Sequence, residues 1–380
     1  VVAHCIMWAG RVVVVFRRYM AGGLAHYLAV QALHLVTLAV CMGGSYAICA
    51  RMPGGWLGLV PRVLVVLVVP NVLNLAVYLS AQLRRKTGIQ TQTKGESGMT
   101  KVGMLYICTG KYTVFWPEFY RTFNDKFLPN CEKEYFVFTD VPAIEYEDAP
   151  GVHRIYQEPY PWPYSTLKRF SIFLTQETVL SKMDYLFFFN ANLTCTQTIT
   201  EEEFLPRPTQ GENLLLVQQP GFWDKKPPFF SYDRNPKSTA YIPYNCGKYY
   251  VSGGLNGGTA PAFLALCHEL ERRTEADLQQ NVIALWHDES QLNRYAAERS
   301  DYRLLTPAYW YPEGWQMPFE QKITVRDKSR YFDVAAVKNK QAKPQSRLQR
   351  KWEAFCENYL PYWYCLRDTL LHKTLKGGGA

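Results

Sequence analysis

Apolar runs alternate with amphipathic segments between residues 102 and 298, and this pattern most constrains the fold of the 380-residue chain. Apolar runs rich in β-branched and aromatic residues predict strands, and apolar residues at helical spacing predict helices. Strands that alternate with helices form a sheet covered by helices on both faces, so we expect an α/β fold. The predicted strands are Val102–Cys108, Tyr135–Thr139, His153–Tyr156, Tyr185–Phe189 and Leu214–Val217, and the predicted helices are Glu118–Phe127, Ser165–Leu180, Ala262–Arg273 and Asp288–Glu298.

Two long uncharged stretches precede this pattern. Residues 19–50 and 63–83 contain no Lys, Arg, Asp or Glu, and each stretch could cross a bilayer as a helix. Basic residues flank the pair on its outer sides, which favours a hairpin with both ends in the cytoplasm. We therefore expect residues 1–86 to form a transmembrane hairpin with spans at about 24–50 and 63–83, and the rest of the chain to be a cytoplasmic domain at the membrane.

A second interpretation of the amino-terminal region stays open. The sequence begins with Val1, and Met99 stands just before the first predicted strand. Residues 1–98 could then be a fragment of another membrane protein or a wrongly assigned reading frame, and the remaining protein would be cytoplasmic without an anchor.

The rest of the chain divides by composition into three parts. Residues 87–101 are polar and rich in Gly, Thr and Gln, which is typical of a linker. Residues 102–335 form the predicted domain. Residues 336–380 are basic and carry aromatic residues at helical spacing, which predicts an amphipathic helix lying on a membrane or on the domain.

Charge and cysteine patterns exclude several classes of protein. Nine Lys or Arg and no acidic residue precede Glu96, whereas 33 basic and 33 acidic residues follow from Glu96 onward. The excess positive charge flanks the apolar stretches instead of forming a patch on the domain, so we expect no binding of nucleic acid. The ten cysteines form no CxxC pair and no zinc-like spacing, which fits a reducing compartment.

Candidate functional residues follow the predicted strands, where α/β sheets bind ligands. Small residues and a tyrosine follow the first strand at Cys108–Tyr112. Asn190 and Asn192 follow a buried strand, and two amides supply no charge for a divalent metal; ordinary turn chemistry explains them equally well. The segment Tyr249–Gly258 holds four glycines, which suit tight turns or room for a ligand. The segment Trp286–Asn293 brings an indole, an imidazole and two carboxylates to a predicted helix start.

Taken in order, these motifs resemble glycosyltransferase family 6. The resemblance covers about residues 102–328 and rests on Tyr135–Asp140 (YFVFTD), Ala240–Pro243 (AYIP), Gly253–Gly258 (GGLNGG) and Trp286–Ser290 (WHDES). It implies a GT-A fold and a retaining hexosyltransferase. Such an enzyme moves galactose or N-acetylgalactosamine from a UDP-sugar, in α1,3 linkage, to a galactose that often bears α1,2-fucose.

The resemblance implies roles for the residues of the WHDES motif. Glu289 matches the family's essential carboxylate below the anomeric carbon, where it forms a covalent glycosyl intermediate or stabilises an oxocarbenium-like ion; both roles require its ionised form. Asp288 is expected to bind hydroxyl groups of the donor sugar. His287 and Trp286 are expected to hold the acceptor galactose.

The resemblance also implies a donor site. Ile107, Thr109 and Tyr112 are expected to hold the uracil and ribose, and Arg169 is a candidate for contact with the donor phosphate or sugar. Ser252-Gly253-Gly254 corresponds to the small-residue segment on which donor choice depends. Its glycines are expected to leave space for an acetamido group, which favours UDP-N-acetylgalactosamine over UDP-galactose.

The same comparison implies chemistry without a metal ion or other cofactor. Vertebrate members carry Asp-x-Asp and manganese, whereas Asn190 and Asn192 are similar to the Asn-x-Asn of the bacterial branch, which works without metal. The departing diphosphate then needs positive charge from the protein. We expect Lys328, together with Arg326 or Arg330, to supply it.

Gln219 departs from the vertebrate A and B enzymes, which have His at this acceptor-facing position. The identity of the acceptor is therefore less constrained than the class of donor. Two other functions remain as alternatives: a non-catalytic protein that binds glycans or UDP-sugars, and a UDP-sugar hydrolase.

Overall fold

The computed structural model describes residues 99–334 and 347–375, and the structural statements below concern these ranges. Within them, no helix combines the length and apolar character needed to span a membrane. The two predicted spans, at about 24–50 and 63–83, lie outside the described residues and remain predictions. The cytoplasmic placement of the domain depends on those spans and remains a prediction too.

Seven of the ten described strands form the main sheet, in the order β3-β2-β1-β4-β7-β6-β8. Strand β7 is antiparallel to β4 and β6, and the other neighbouring strands are parallel. The carboxyl ends of six strands therefore lie at one edge of the sheet, together with the beginning of β7. The strands are β1 (Lys101–Ile107), β2 (Glu132–Thr139), β3 (Val152–Tyr156), β4 (Tyr185–Phe189), β5 (Leu193–Cys195), β6 (Leu214–Gln218), β7 (Val251–Thr259), β8 (Tyr302–Leu305), β9 (Tyr311–Pro312) and β10 (Ile323–Val325).

Helices and a second sheet cover the two faces of the main sheet. Strands β5, β10 and β9 form this smaller sheet, in that order. Met104 and Tyr106 of β1 pack into one apolar cluster, whereas Leu105 between them packs into the other. This alternation is what a strand buried on both faces requires. The helices are α1 (Trp116–Lys126), α2 (Tyr164–Leu167), α3 (Arg169–Leu174), α4 (Glu177–Leu180), α5 (Glu201–Phe204), α6 (Ala260–Gln279), α7 (Asp288–Ala297) and α8 (Arg347–Leu370).

The structure corrects the helix predicted over Ser165–Leu180. Three short helices, α2, α3 and α4, occupy this stretch. The backbone leaves the helical region at Lys168, with ψ 9°, and at Gln176, with ψ 17°. Apolar residues continue at helical spacing across both breaks, so the sequence pattern does not reveal them.

Strand β7 corrects the interpretation of the glycine-rich segment as a turn or an open ligand site. Its glycines have no positive φ, so they are not turn residues. They are required by close packing instead: a Cβ at Gly257 would lie 2.1 Å from Phe187, and one at Gly258 would lie 2.4 Å from the carbonyl oxygen of Asn213. Glycine in a strand interior commonly marks such a close approach.

The predicted tail helix is present and packs on the domain. Asp368 of α8 is fully buried, and its carboxylate accepts a hydrogen bond from the backbone N–H of Tyr244 at 3.0 Å. The backbone carbonyl oxygen of Lys373, beyond the helix, accepts a hydrogen bond from the side-chain amide of Asn245 at 3.0 Å. The sequence left two surfaces open for this segment, a membrane or the domain. The structure shows that the segment contacts the domain.

Cysteines within the described ranges are free thiols, and most of them are buried. Burial raises the pKa of Cys108 to about 12, so this thiol beside the first loop stays protonated at neutral pH.

Candidate active site

A cavity of about 380 Å³ opens at the carboxyl edge of the main sheet. Ile107 ends β1, Asn190 follows β4, and the segment that begins α2 and α3 closes the other side. The edge on which α/β sheets bind ligands is thus the edge that holds this cavity. Its lining residues are Ile107, Thr109, Gly110, Lys111, Tyr112, Pro159, Tyr160, Pro161, Trp162, Ser165, Thr166, Arg169, Phe188, Asn190 and Lys328.

The cavity is basic. Lys111, Arg169 and Lys328 line it, and none of the described lining residues is Asp or Glu. The Nζ atom of Lys328 lies 5.0 Å from the ring centroid of Tyr112, which also lines the cavity. Three cations around a partly apolar space can hold a ligand that combines a diphosphate with a planar base.

Of the late basic residues considered for the leaving group, Lys328 lines the cavity, whereas Arg326 and Arg330 do not. Arg326 is only 6% exposed; it forms an ion pair with Glu118 at 2.5 Å and donates to the carbonyl oxygen of Phe115 at 3.1 Å. Arg330 forms an ion pair with Glu313 at 2.6 Å and does not line the cavity. Arg326 and Arg330 therefore pair with carboxylates outside the cavity, and of these three residues only Lys328 lines it.

Asn190 and Asn192 have different surroundings. Asn190 lines the cavity, whereas Asn192 is 2% exposed and donates through Nδ2 to the carbonyl oxygen of Arg326 at 2.5 Å. The Oδ1 atom of Asn192 accepts from Asn190 Nδ2 at 3.1 Å. Two neutral amides that are hydrogen-bonded in this way do not fit a divalent cation, which prefers carboxylate oxygens.

Glu289 lies in the first turn of α7 and is held by two donors. Its Oε1 atom accepts from the phenol of Tyr250 at 2.9 Å, and its Oε2 atom accepts from the backbone N–H of Gly253 at 2.8 Å. Burial raises the pKa of Glu289 to about 7, although both hydrogen bonds favour the ionised form. This carboxyl therefore changes its charge near neutral pH.

Arg169 connects Glu289's surroundings to the cavity. It lines the cavity, forms a buried ion pair with Asp288, and donates to the carbonyl oxygen of Gly253 at 3.0 Å. Its guanidinium lies 4.2 Å from the ring centroid of Phe188. Burial raises the pKa of Asp288, and the Arg169 charge opposes this shift. One guanidinium thus links the cavity, α7 and β7.

Gly253 and Gly254 are closely packed on the side that a Cβ would occupy. A Cβ at Gly254 would lie 2.0 Å from the indole of Trp310, and one at Gly253 would lie 2.9 Å from the Cβ of Glu289. Ser252 is 1% exposed. The positions that larger side chains would occupy at Gly253 and Gly254 are therefore filled by the protein, so packing requires glycine there. The preference for a donor with an acetamido group remains a prediction.

The three predicted acceptor residues lie outside the cavity lining. Trp286 is 47% exposed, and the His287 ring lies 4.8 Å from that of Trp162, which does line the cavity. His287 precedes α7 with φ 54°, a left-handed conformation that costs energy in a non-glycine residue. Gln219 accepts from the N–H of Gly221 at 2.5 Å through Oε1, and its own N–H donates to the carbonyl oxygen of Tyr250 at 2.9 Å.

Several residues at this site have no recognisable signal in the motifs above. Lys111 supplies one of the three cavity cations, and Tyr250 donates to Glu289. The run Pro159–Pro163, with its proline and aromatic residues, was a usable signal for a rigid wall. Asp140 accepts from the N–H of Gly110 at 2.8 Å, which explains the acidic end of YFVFTD as a support for the first loop.

Known proteins share most of this domain. The model described as "Glycosyltransferase family 6" matches residues 92–339. The chain is 36% identical over 229 residues to the O-antigen biosynthesis glycosyltransferase WbnI of Escherichia coli, which covers 60% of this chain and 95% of that protein. It is 26% identical to histo-blood group ABO system transferase 2 of Rattus norvegicus over 253 residues, covering 64% and 71% of the two chains.

A third relative is the globoside alpha-1,3-N-acetylgalactosaminyltransferase 1 of Gallus gallus. It is 25% identical over 229 residues, which cover 58% of this chain and 64% of the relative. A mixed sheet with a ligand cavity at its carboxyl edge, together with these relatives, defines an enzyme that transfers hexoses. The chain belongs to glycosyltransferase family 6.

Proposed function

We propose that the chain is a retaining α1,3-glycosyltransferase with a GT-A fold that uses a UDP-sugar. The donor's UDP binds in the basic cavity, with the uracil and ribose against Ile107, Thr109 and Tyr112. The diphosphate lies among Lys111, Arg169 and Lys328. The mixed sheet and the cavity at its carboxyl edge support this arrangement.

The observation that carries the proposal is the double role of Arg169. The same guanidinium lines the cavity and contacts Asp288 and Gly253, which flank Glu289 in space. Arg169 therefore links the cavity to the surroundings of Glu289, and the sugar of a donor bound in the cavity would lie close to this link. Transfer of a sugar from a diphosphate requires the diphosphate-binding groups and the carboxylate to lie this close together.

The transfer breaks the bond between the anomeric carbon and the oxygen of the β-phosphate. That oxygen leaves with the bonding electrons, so negative charge develops on UDP, and the cavity cations stabilise it. The 3-hydroxyl oxygen of the acceptor galactose forms the new bond at the anomeric carbon and releases its proton. Retention of configuration requires either two displacements or a shielded ion on one face.

Glu289 stabilises the positive charge that develops at the anomeric carbon. It acts as a covalent nucleophile or as the counter-charge of an oxocarbenium-like ion, and both routes need the carboxylate. Tyr250 and the Gly253 N–H hold its two oxygens, which preorganises the group and favours ionisation. Burial raises the pKa of Glu289 to about 7, so the ionised, active form becomes more populated as the pH rises through neutrality.

We propose N-acetylgalactosamine as the transferred sugar, with galactose as the second candidate. Support for the first comes from the name of the Gallus gallus relative, an α1,3-N-acetylgalactosaminyltransferase. The acceptor is a galactose-containing glycan with or without α1,2-fucose, held by Trp286, His287 and Gln219. The exposed indole of Trp286 offers a pyranose the flat apolar surface that its C–H groups contact.

We further propose that transfer needs no metal ion. The neutral, hydrogen-bonded pair Asn190 and Asn192 supports this proposal, because its amides contribute no charge to bind a cation. The positive charge that a metal would bring to the diphosphate is assigned to Lys111, Arg169 and Lys328.

The deciding experiment incubates the full chain with UDP-N-acetylgalactosamine or UDP-galactose and a fucosylated galactoside, with EDTA present. We expect transfer to the acceptor in EDTA, with N-acetylgalactosamine favoured. Binding of UDP-sugar without any transfer, with or without Mn²⁺, would support the alternative of a non-catalytic binding protein. Release of free sugar at the same rate with and without acceptor would indicate a hydrolase.

Glu289→Gln separates catalysis from donor binding. We expect turnover to fall by several orders of magnitude while the affinity for UDP stays close to that of the wild type, because Glu289 does not line the cavity. Loss of UDP binding would instead assign Glu289 a structural role in the donor site.

A further inference from the structure

Helix α8 carries an apolar stripe on its outer face. Tyr359, Trp363, Leu366 and Leu370 follow one another at intervals of four, three and four residues, so they lie on one side of the helix. They are exposed by 62%, 60%, 57% and 69%, respectively. Large apolar side chains this exposed and this contiguous mark an interaction surface rather than ordinary surface residues. We call these four residues the outer stripe.

The opposite face of α8 fixes the direction of the outer stripe. Asp368 is fully buried and accepts from the backbone N–H of Tyr244, and the ring of Tyr364 lies 5.0 Å from that of Tyr244. Arg367 and Lys373 both form ion pairs with Asp368, at 2.7 Å and 3.2 Å. Rotating the helix to bury the stripe would break these contacts, so the described part of the domain leaves the stripe exposed.

The charge at the start of the helix indicates what covers the stripe. Arg347, Arg350 and Lys351 are among the first five residues of α8, and the sequence before it adds Lys338, Lys340 and Lys343. No acidic residue lies between 338 and 352, and residues 336–380 hold nine Lys or Arg against three Asp or Glu. Basic residues beside a stripe of Trp, Tyr and Leu are typical of helices that lie in the plane of an anionic membrane.

We propose that the outer stripe of α8 docks on an anionic lipid bilayer. The aromatic and leucine side chains enter the headgroup region, where amphipathic rings are favoured, and the net positive charge of residues 336–380 favours anionic lipid. A second copy of the chain is the alternative occupant, which the experiment below distinguishes from lipid. The site lies outside residues 92–339, which the family model matches, and does not depend on the proposed function.

The same packing connects the lipid surface to the proposed acceptor side. The carbonyl oxygen of Leu375 accepts a hydrogen bond from Arg294 of α7, and Leu375 packs beside the apolar cluster that includes Tyr250. Tyr362, next to the stripe, contacts Phe229 with ring centroids 4.8 Å apart. A docked α8 would therefore hold the Tyr250 and Glu289 end of the domain close to the membrane.

Hydrogen–deuterium exchange of the full chain tests the proposal, because it reports on α8 even where other segments bind lipid. The chain is reconstituted in vesicles of phosphatidylethanolamine with phosphatidylglycerol and, separately, in vesicles of phosphatidylcholine alone. We expect amides between residues 356 and 375 to exchange about tenfold more slowly on the anionic vesicles than on the neutral ones. Raising the salt concentration should reduce this protection.

Paired variants separate docking from folding. In Trp363→Glu/Leu366→Glu the protection should disappear, whereas the same charge change at exposed positions of β3 and α4, Tyr156→Glu/Val179→Glu, should keep it. Circular dichroism and the midpoint of thermal unfolding should match the wild type for both variants. Equal exchange on the two kinds of vesicle would overturn the proposal. Protection that appears without lipid and rises with protein concentration would assign the stripe to a second copy instead.

Discussion

The phenol of Tyr250 donates a hydrogen bond to the Glu289 carboxylate at 2.9 Å, from the residue just before β7 to the first turn of α7. The pKa of Glu289 is about 7, because burial raises it more than this hydrogen bond and that of the Gly253 N–H lower it. The ionised fraction of the proposed catalytic group is therefore set by two opposing effects, and removing a donor changes their balance.

Tyr250→Phe should move the pH dependence of activity. Catalysis needs ionised Glu289, so kcat/KM of the wild type should fall as the pH drops below about 7. Loss of the phenol raises the pKa of Glu289 further, and the acidic limb should shift up by roughly one pH unit. Tyr232→Phe is the matched control, because that phenol donates to the carbonyl oxygen of Tyr249 at 2.6 Å. If the acidic limb of the pH profile does not shift in Tyr250→Phe, the assignment of Glu289 as the titrating catalytic group is contradicted.

Lys328→Ala should weaken UDP binding by about tenfold to a hundredfold, because it removes a cation from the cavity that receives the diphosphate. Arg330→Ala should leave the affinity within about twofold, since its guanidinium pairs with Glu313 outside the cavity. Isothermal titration calorimetry with UDP measures both. Equal losses in the two variants would mean that general positive charge, and not the position of Lys328, attracts the nucleotide.

Gly254→Ala should destabilise the fold by about 1–3 kcal/mol, because the new methyl group would overlap the indole of Trp310. The same change in a Trp310→Phe background should cost less, since the smaller ring leaves space. Urea denaturation of the four chains gives the coupling energy between the two positions. Additive effects would show that the backbone moves β7 away from Trp310 instead.

Asn192→Asp should lower the free energy of unfolding by about 2–4 kcal/mol at pH 7, because a buried carboxylate would face the carbonyl oxygen of Arg326 and lose a donated hydrogen bond. The loss should shrink as the pH approaches 4, where protonated Asp can donate again. Asn190→Asp, at the more exposed position, should cost less. Denaturation curves at pH 7 and pH 4 measure the loss of unfolding free energy at each pH. An equal loss at both pH values would exclude a buried carboxylate as its cause.

Local patterns predicted much of the main sheet. The strand predicted at Tyr185–Phe189 is β4 as observed, and those that became β1, β2, β3 and β6 differ by one to three residues at their ends; the α/β class is confirmed. Strand β7 was missed because its glycines lack the side chains on which a period-two pattern depends. Its place between β4 and β6 is determined by close packing against residues such as Phe187, which the segment itself does not encode.

The sequence alone determined the family and the residue types at the site, because the ordered motifs and the post-strand positions are properties of neighbouring residues. Only the tertiary structure decided which groups meet there. Arg326 pairs with Glu118 from α1, while Lys328, two residues later, lines the cavity. Trp310 fills the space beside Gly254. Charge and volume act through space over a few ångströms, so residues far apart in the chain decide whether a cation faces a ligand or a carboxylate.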